Sequence, residues 1–86
     1  MTTDTDLVLD EIREERWSQD AKWGEQNHDP FKWLSILMEE VGEAAQAAVQ
    51  AEMEPGKLTW VDYRMEMIQV AAVAVSMVEC FDRNVP

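Results

Sequence analysis

Apolar residues recur along the chain at steps of three and four, and no stretch alternates in the two-residue rhythm of a strand. Three helices follow from this pattern. The first is predicted over about Asp6 to Asp20, where Leu7, Leu9, Ile12 and Trp17 form a stripe on a charged body, with Asp4 or Thr5 as its cap. A polar stretch, Lys22-Trp23-Gly24-Glu25-Gln26-Asn27-His28, leads to Asp29-Pro30, a capping residue followed by the proline suited to a first helical turn. The second helix therefore starts near Pro30 and is expected to reach about Met53. Phe31, Trp33, Leu34, Ile36, Leu37, Met38 and Val41 fill its first half; Ala44, Ala45, Ala47, Ala48 and Ala51 fill its second. Glu54-Pro55-Gly56-Lys57 is a break. Thr59, with Asp62 three residues on, has the form of a capping box and opens a third helix running to about Asp82. Between Ile68 and Val78 that helix is apolar nearly all round, the pattern of a helix covered on several sides.

Three short helices cannot cover it. The 86 residues make one small all-α domain, 1–86, and a chain of this length buries only roughly 60% of the surface its unfolded form exposes. The single cysteine, Cys80, excludes an internal disulfide and suits a reducing compartment. With 47% hydrophobic residues, the expected supplement is a second copy: a four-helix-type bundle completed by a partner subunit. Ala44, Ala48, Ala71 and Ala74 are the small residues expected to let helices approach across that contact.

Charge narrows the partners. Eighteen acidic residues against seven basic ones leave a formal net charge of -11. This surface repels a phosphate backbone and an anionic lipid face, so neither bulk nucleic acid nor a membrane is an expected partner. The opening Met-Thr-Thr-Asp-Thr-Asp lacks the basic and apolar regions of a signal peptide, and a cytoplasmic location is expected.

The informative acids lie inside the two most apolar helices. Glu40 and Glu43 are three residues apart and Glu39 and Glu43 four, so each pair shares a helical face. Glu66 and Gln69 repeat the three-residue step at the head of the apolar run. Antiparallel packing through the short connection lets the Glu40/Glu43 and Glu66/Gln69 pairs face one another. Three carboxylates and an amide converging on one spot suit a hard divalent cation such as Mg²⁺ or Mn²⁺. A cation would also let so acidic a protein accept a polyphosphate. A di-iron bundle would need Glu-x-x-His pairs, and the only histidine, His28, lies in the polar loop.

Glu39-Glu40-Val41-Gly42-Glu43, a spacer of 22 residues, then Glu66-Met67-Ile68-Gln69 resembles the EExxE…ExxD signature of MazG-like nucleoside triphosphate pyrophosphohydrolases. Glu15-Arg16-Trp17-Ser18-Gln19 and the loop Trp23-Gly24-Glu25-Gln26-Asn27-His28 resemble a compact subgroup of that superfamily, so the likeness covers roughly the whole chain. The resemblance implies an all-α homodimer or homotetramer that uses Mg²⁺ to hydrolyse NTP or dNTP to the monophosphate and pyrophosphate, a house-cleaning activity on the nucleotide pool. It implies Glu40, Glu43 and Glu66 as metal ligands and Glu39 and Glu40 as the catalytic carboxylates, with Glu39 orienting water, backing the ligands or holding a second metal. Gln69 stands where the family usually has Asp; its amide oxygen is a weaker, uncharged ligand.

Other groups have more than one reading. Trp23, Gln26, Asn27 and His28, with Lys22 beside them, are candidates to hold a nucleotide; equally, Trp23 could anchor the loop and His28 cap a helix. Trp17, Trp33 and Trp60 are expected in the core or an interface, and Cys80 is expected to be a small buried hydrophobe. The alternative function is a non-catalytic helical oligomer, or a nucleotide-binding relative without turnover.

Overall fold

The computed structural model describes residues 1–54 and 59–85; of Thr59 only the backbone is described. Among these residues there are three helices and no strand: α1 (Asp4–Trp23), α2 (Pro30–Met53) and α3 (Thr59–Asn84). The proposed capping box at Thr59 and the break at Pro55-Gly56-Lys57 lie outside the described residues.

Both ends of α1 differ from expectation for local reasons. Its cap is Thr3, not Asp4 or Thr5. Thr3 Oγ1 accepts from the Asp6 N–H at 3.1 Å while Asp6 Oδ2 accepts from the Thr3 N–H at 3.0 Å. That reciprocal box needs an acid three residues beyond the cap. Asp4 and Thr5 would have Leu7 and Val8 there. The helix then runs past Asp20 and ends at Gly24, whose φ of +74° is in the region that favours glycine. The start of α2 is as the sequence predicts: Asp29 Oδ1 accepts from the N–H groups of Phe31 and Lys32, both at 2.9 Å, with Pro30 at the first helical position.

α2 and α3 pack antiparallel. Trp33, near the start of α2, meets Val73 and Cys80 far along α3, whereas Glu43 faces Glu66 nearer the α3 start. Ile36, Leu37 and Met77 close over the Trp33 cluster. Ala44, Ala47 and Ala51 are buried farther along α2, and Ala72 on α3. Ala44, expected at a subunit contact, is thus only 4% exposed within this chain; Ala74 is on the outside.

α1 packs on α3 and not on α2. Its expected apolar stripe is not its packing face. Leu7, Leu9 and Trp17 are exposed, Trp17 by 64%, and only Ile12 is half-buried. The buried residue of α1 is Arg16. Its Nε donates to Glu79 Oε1 at 2.8 Å, and its remaining nitrogens donate to Gln19 (3.1 Å) and Asp20 (3.0 Å). Burial opposes the guanidinium charge, but the bonds to Glu79 and Asp20 outweigh it and hold the pKa above its ordinary value. A second link joins Arg64 of α3 to both oxygens of Glu11, at 2.7 and 3.0 Å.

The result is an open slab. Its radius of gyration is 14.6 Å and its extents are 49 × 37 × 20 Å, against about 12 Å for a compact domain of this length. It exposes 6492 Å², whereas a compact monomer of this size exposes about 5,200 Å². The surplus is apolar and organised. Phe31, Leu34, Met38, Val41 and Val49 recur along one exposed side of α2, and Met67, Val78 and Phe81 along one exposed side of α3. No described helix is long and apolar enough to cross a membrane.

Because the buried residue of α1 is an ion-paired arginine and a second ion pair joins the same two helices, its attachment should be salt-sensitive. Arg16→Ala should weaken the fold by about 1–2 kcal/mol, between the values for exposed and buried pairs. Amide hydrogen exchange should then quicken across α1 while α2 and α3 keep their protection; equal loss in all three helices would refute the assignment.

Candidate metal centre and adjoining cleft

The antiparallel register sets Glu40 and Glu43 of α2 against Glu66 of α3. One oxygen from each lies within 4.8 Å of the others. One oxygen of Glu40 and one of Glu66 are shut off from solvent and have no hydrogen-bond partner among the described residues. Leaving a buried anionic acceptor unpaired costs about 1–3 kcal/mol or more. The carboxyl pKa values respond. Burial raises that of Glu40, and the charges of Glu43, Glu66, Glu15 and Glu39 raise it further. Glu66 is raised by burial, then by Glu43 as both a charge and a hydrogen-bonding carboxyl, then by Asp62. An all-oxygen, anionic donor set with two starved oxygens is one that a hard divalent cation fits.

The other predicted residues divide. Gln69, one turn beyond Glu66, lines a polar cleft shared with Glu43 and Glu66. Glu39 is exposed beside Glu40. Trp23 and Gln26 line a second cleft, of about 320 Å³, together with Arg16, Trp33 and Glu40. This cleft exists because α1 and α2 both lean on α3 without meeting. Lys22 places its ammonium 4.9 Å over the Trp23 ring. Trp23 is itself exposed, so it does not anchor the loop. Asn27 and His28 lie on the other side of the loop. Asn27 accepts from Asn84 at 2.9 Å, and His28 stands edge-on to Trp33 with ring centres 4.9 Å apart. His28 shares a separate, mainly apolar pocket with Cys80 and Phe81. Trp33 and Cys80 are buried as expected; Trp17 and Trp60 are exposed.

Three charged residues of this region carry weight that sequence reasoning did not assign. Asp62 could have been found, because it lies four residues before Glu66 on one helical face. Arg16 lines the cleft and Glu15 brings its charge to bear on Glu40 only through the way α1 docks, which no spacing along the chain reveals.

Compared with known proteins, the chain matches no family model, no curated protein and no solved structure.

The raised carboxyl pKa values fix the sign of a pH dependence. An acid whose folded-state pKa is raised contributes stability that is full below its unfolded value, here 4.5, and is lost as pH rises through the folded value. The metal-free protein should therefore lose stability as pH rises above about 4.5 toward neutrality, more steeply than the Glu66→Gln variant. At neutral pH Mn²⁺ should raise the melting temperature of the parent chain, and Glu43→Gln or Glu66→Gln should abolish that rise while leaving the helices folded. Parallel pH curves and an unchanged Mn²⁺ response in both variants would exclude the site.

Proposed function

We propose that this protein is a cytoplasmic, divalent-cation-dependent nucleoside triphosphate pyrophosphohydrolase converting (d)NTP and water to (d)NMP and pyrophosphate. The observation that carries the reading is the pair of buried, unpartnered oxygens on Glu40 and Glu66 within a three-carboxylate cluster. The likeness of the Glu39–Glu43 and Glu66–Gln69 segments to the MazG-like signature supports the same reading. So does the cleft that joins Glu40 to Trp23 and Gln26, a planar ring and an amide suited to a nucleobase.

Glu40, Glu43 and Glu66, with the amide oxygen of Gln69, are the residues that would hold Mg²⁺ or Mn²⁺, which supplies the positive charge a polyphosphate needs in so acidic a protein. In the proposed reaction a water oxygen attacks the α-phosphorus, the bond from that phosphorus to the bridging oxygen breaks, and pyrophosphate leaves. A carboxylate takes the water proton; Glu39 and Glu40 are the candidates. Trp23 and Gln26 orient the base end, with Lys22 beside them and Asn27 and His28 completing the loop.

The proposal includes self-association as a homodimer or homotetramer. The exposed apolar sides of α2 and α3 lie together, and the surface in excess of a compact monomer is about 1,300 Å². That suits one protomer's share of an obligate interface. A second copy laid on this face would complete a four-helix bundle.

One observation favours a second reading, a relative that binds nucleotide without turnover: Gln69 supplies no charge where the family usually has Asp.

A panel of NTPs and dNTPs read for pyrophosphate separates these readings. Turnover to the monophosphate, abolished by EDTA, is expected, and Gln69→Asp should tighten Mg²⁺. Orthophosphate as product, or no turnover with Mg²⁺ or Mn²⁺, would refute the hydrolase. Binding without turnover would leave the second reading.

For the assembly, sedimentation at micromolar concentration should show an oligomer that Val78→Asp dissociates. A folded monomer of the parent chain, with a concentration-independent melting point, would contradict it.

A further inference from the structure

The loop joining α1 to α2 is fastened at a point far from the carboxylates. Four successive loop residues each bond to the last turns of α3. Arg83 Nε lies 3.3 Å from a Glu25 carboxylate oxygen. Arg83 Nη2 donates to the Gln26 carbonyl at 3.0 Å and to Asn27 Oδ1 at 3.2 Å. Asn84 Nδ2 donates to the same Asn27 oxygen at 2.9 Å. The Cys80 thiol, 3.7 Å from the His28 carbonyl, adds a weak bond. Asn84 is itself braced on its own helix, donating to the Cys80 carbonyl at 2.9 Å.

This fastening has mechanical significance because α1 and α2 do not pack together. At the loop end the cleft has Trp23, Gly24 and Gln26 on its wall, with Val73 and Ser76 of α3 opposite. Gln26 lines the cleft while its backbone carbonyl is tied to Arg83. Its amide oxygen also lies 3.3 Å from His28 Nε2, so side chain and backbone are both restrained. Arg83 stands 17 residues beyond Glu66, about 26 Å along the helix. It touches no carboxylate of the cluster.

We infer that Arg83 and Asn84 are positioning residues for the cleft: by clamping Glu25 to His28 onto the end of α3 they hold Trp23 and Gln26 at a fixed distance from Glu40, and so set affinity for the organic end of a substrate. The inference rests on the nucleotide reading of the cleft. It separates two functions along one helix, cation binding at the start of α3 and substrate alignment at its end.

A residue that acts on binding alone raises KM and leaves kcat in place. Arg83→Met and Asn84→Ala should each raise the KM for the best nucleotide about five- to tenfold with kcat within about twofold, and Arg83→Lys, which keeps a donor, should recover part of the loss. Amide hydrogen exchange should quicken at residues 24–28, and the melting shift produced by Mn²⁺ should stay at the parent value. Where turnover is absent, the dissociation constant of a non-hydrolysable nucleoside triphosphate analogue replaces KM.

KM or that dissociation constant unmoved in variants whose loop exchanges faster overturns the inference alone. Loss of the Mn²⁺ shift, or kcat falling in step with kcat/KM, also overturns it, because the clamp would then support the whole fold rather than the cleft. A parent chain that responds to Mn²⁺ yet neither binds nor turns over any nucleotide overturns the inference and the functional reading together.

Discussion

The close approach of α2 to α3 is the constraint from which the rest follows. Ala44, Ala47 and Ala51 on one helix and Ala72 on the other are buried where the two meet, and the separation of packed helices is set by the side chains at their contact. Small residues bring the backbones near enough for Glu40 and Glu43 to reach Glu66 and for two of the carboxylate oxygens to be shut off from solvent. Rigid helices then prevent the carboxylates from swinging apart. A bulkier residue at Ala44 or Ala47 would relieve the repulsion and dissolve the site by the same movement. Packing is the instrument here and electrostatic tension its product.

α3 also carries α1, but by a different kind of contact. Where α2 offers Trp33 and alanines, α1 offers Arg16 and Glu11. These pairs hold α1 on α3 without bringing it against α2, and that separation of α1 from α2 is what the cleft beside Glu40 requires. The exposed Leu7, Leu9 and Trp17 are the other face of this choice. A helix bound through these residues would lie elsewhere on α3, and the two walls of the cleft would no longer face each other.

How much was legible in the sequence follows the range of each interaction. The start of α2 could be read because Asp29 and Pro30 act within a turn of where they stand. Glu40, Glu43 and Glu66 could be read because two lie on one helical face and the short connection dictates the antiparallel partner. The start of α1 is harder to read because Thr3 and Asp6 cap it jointly, and neither is decisive alone. The stripe of Leu7, Leu9 and Trp17 misled for a deeper reason: periodicity marks a face that is apolar, not a face that is used. Arg16, Glu15 and the Arg83–Gln26 bond depend on which helices touch and at what angle, information that belongs to the assembled molecule.

The junction at Gly24 has a consequence for how copies of this chain relate to one another. The glycine bends the backbone through a conformation that needs little from its neighbours, and beyond it α1 is attached by a few charged bonds. Nothing in those bonds distinguishes the α3 of the same chain from the α3 of another. Exchange of the N-terminal arm between two chains would conserve the Arg16–Glu79 and Arg64–Glu11 pairs and load the strain on the loop and its fastening to Arg83. What keeps the arm at home is the high effective concentration imposed by its short tether. Lengthening or stiffening that tether would therefore shift the balance between the two arrangements while leaving the ion pairs of the arm unchanged.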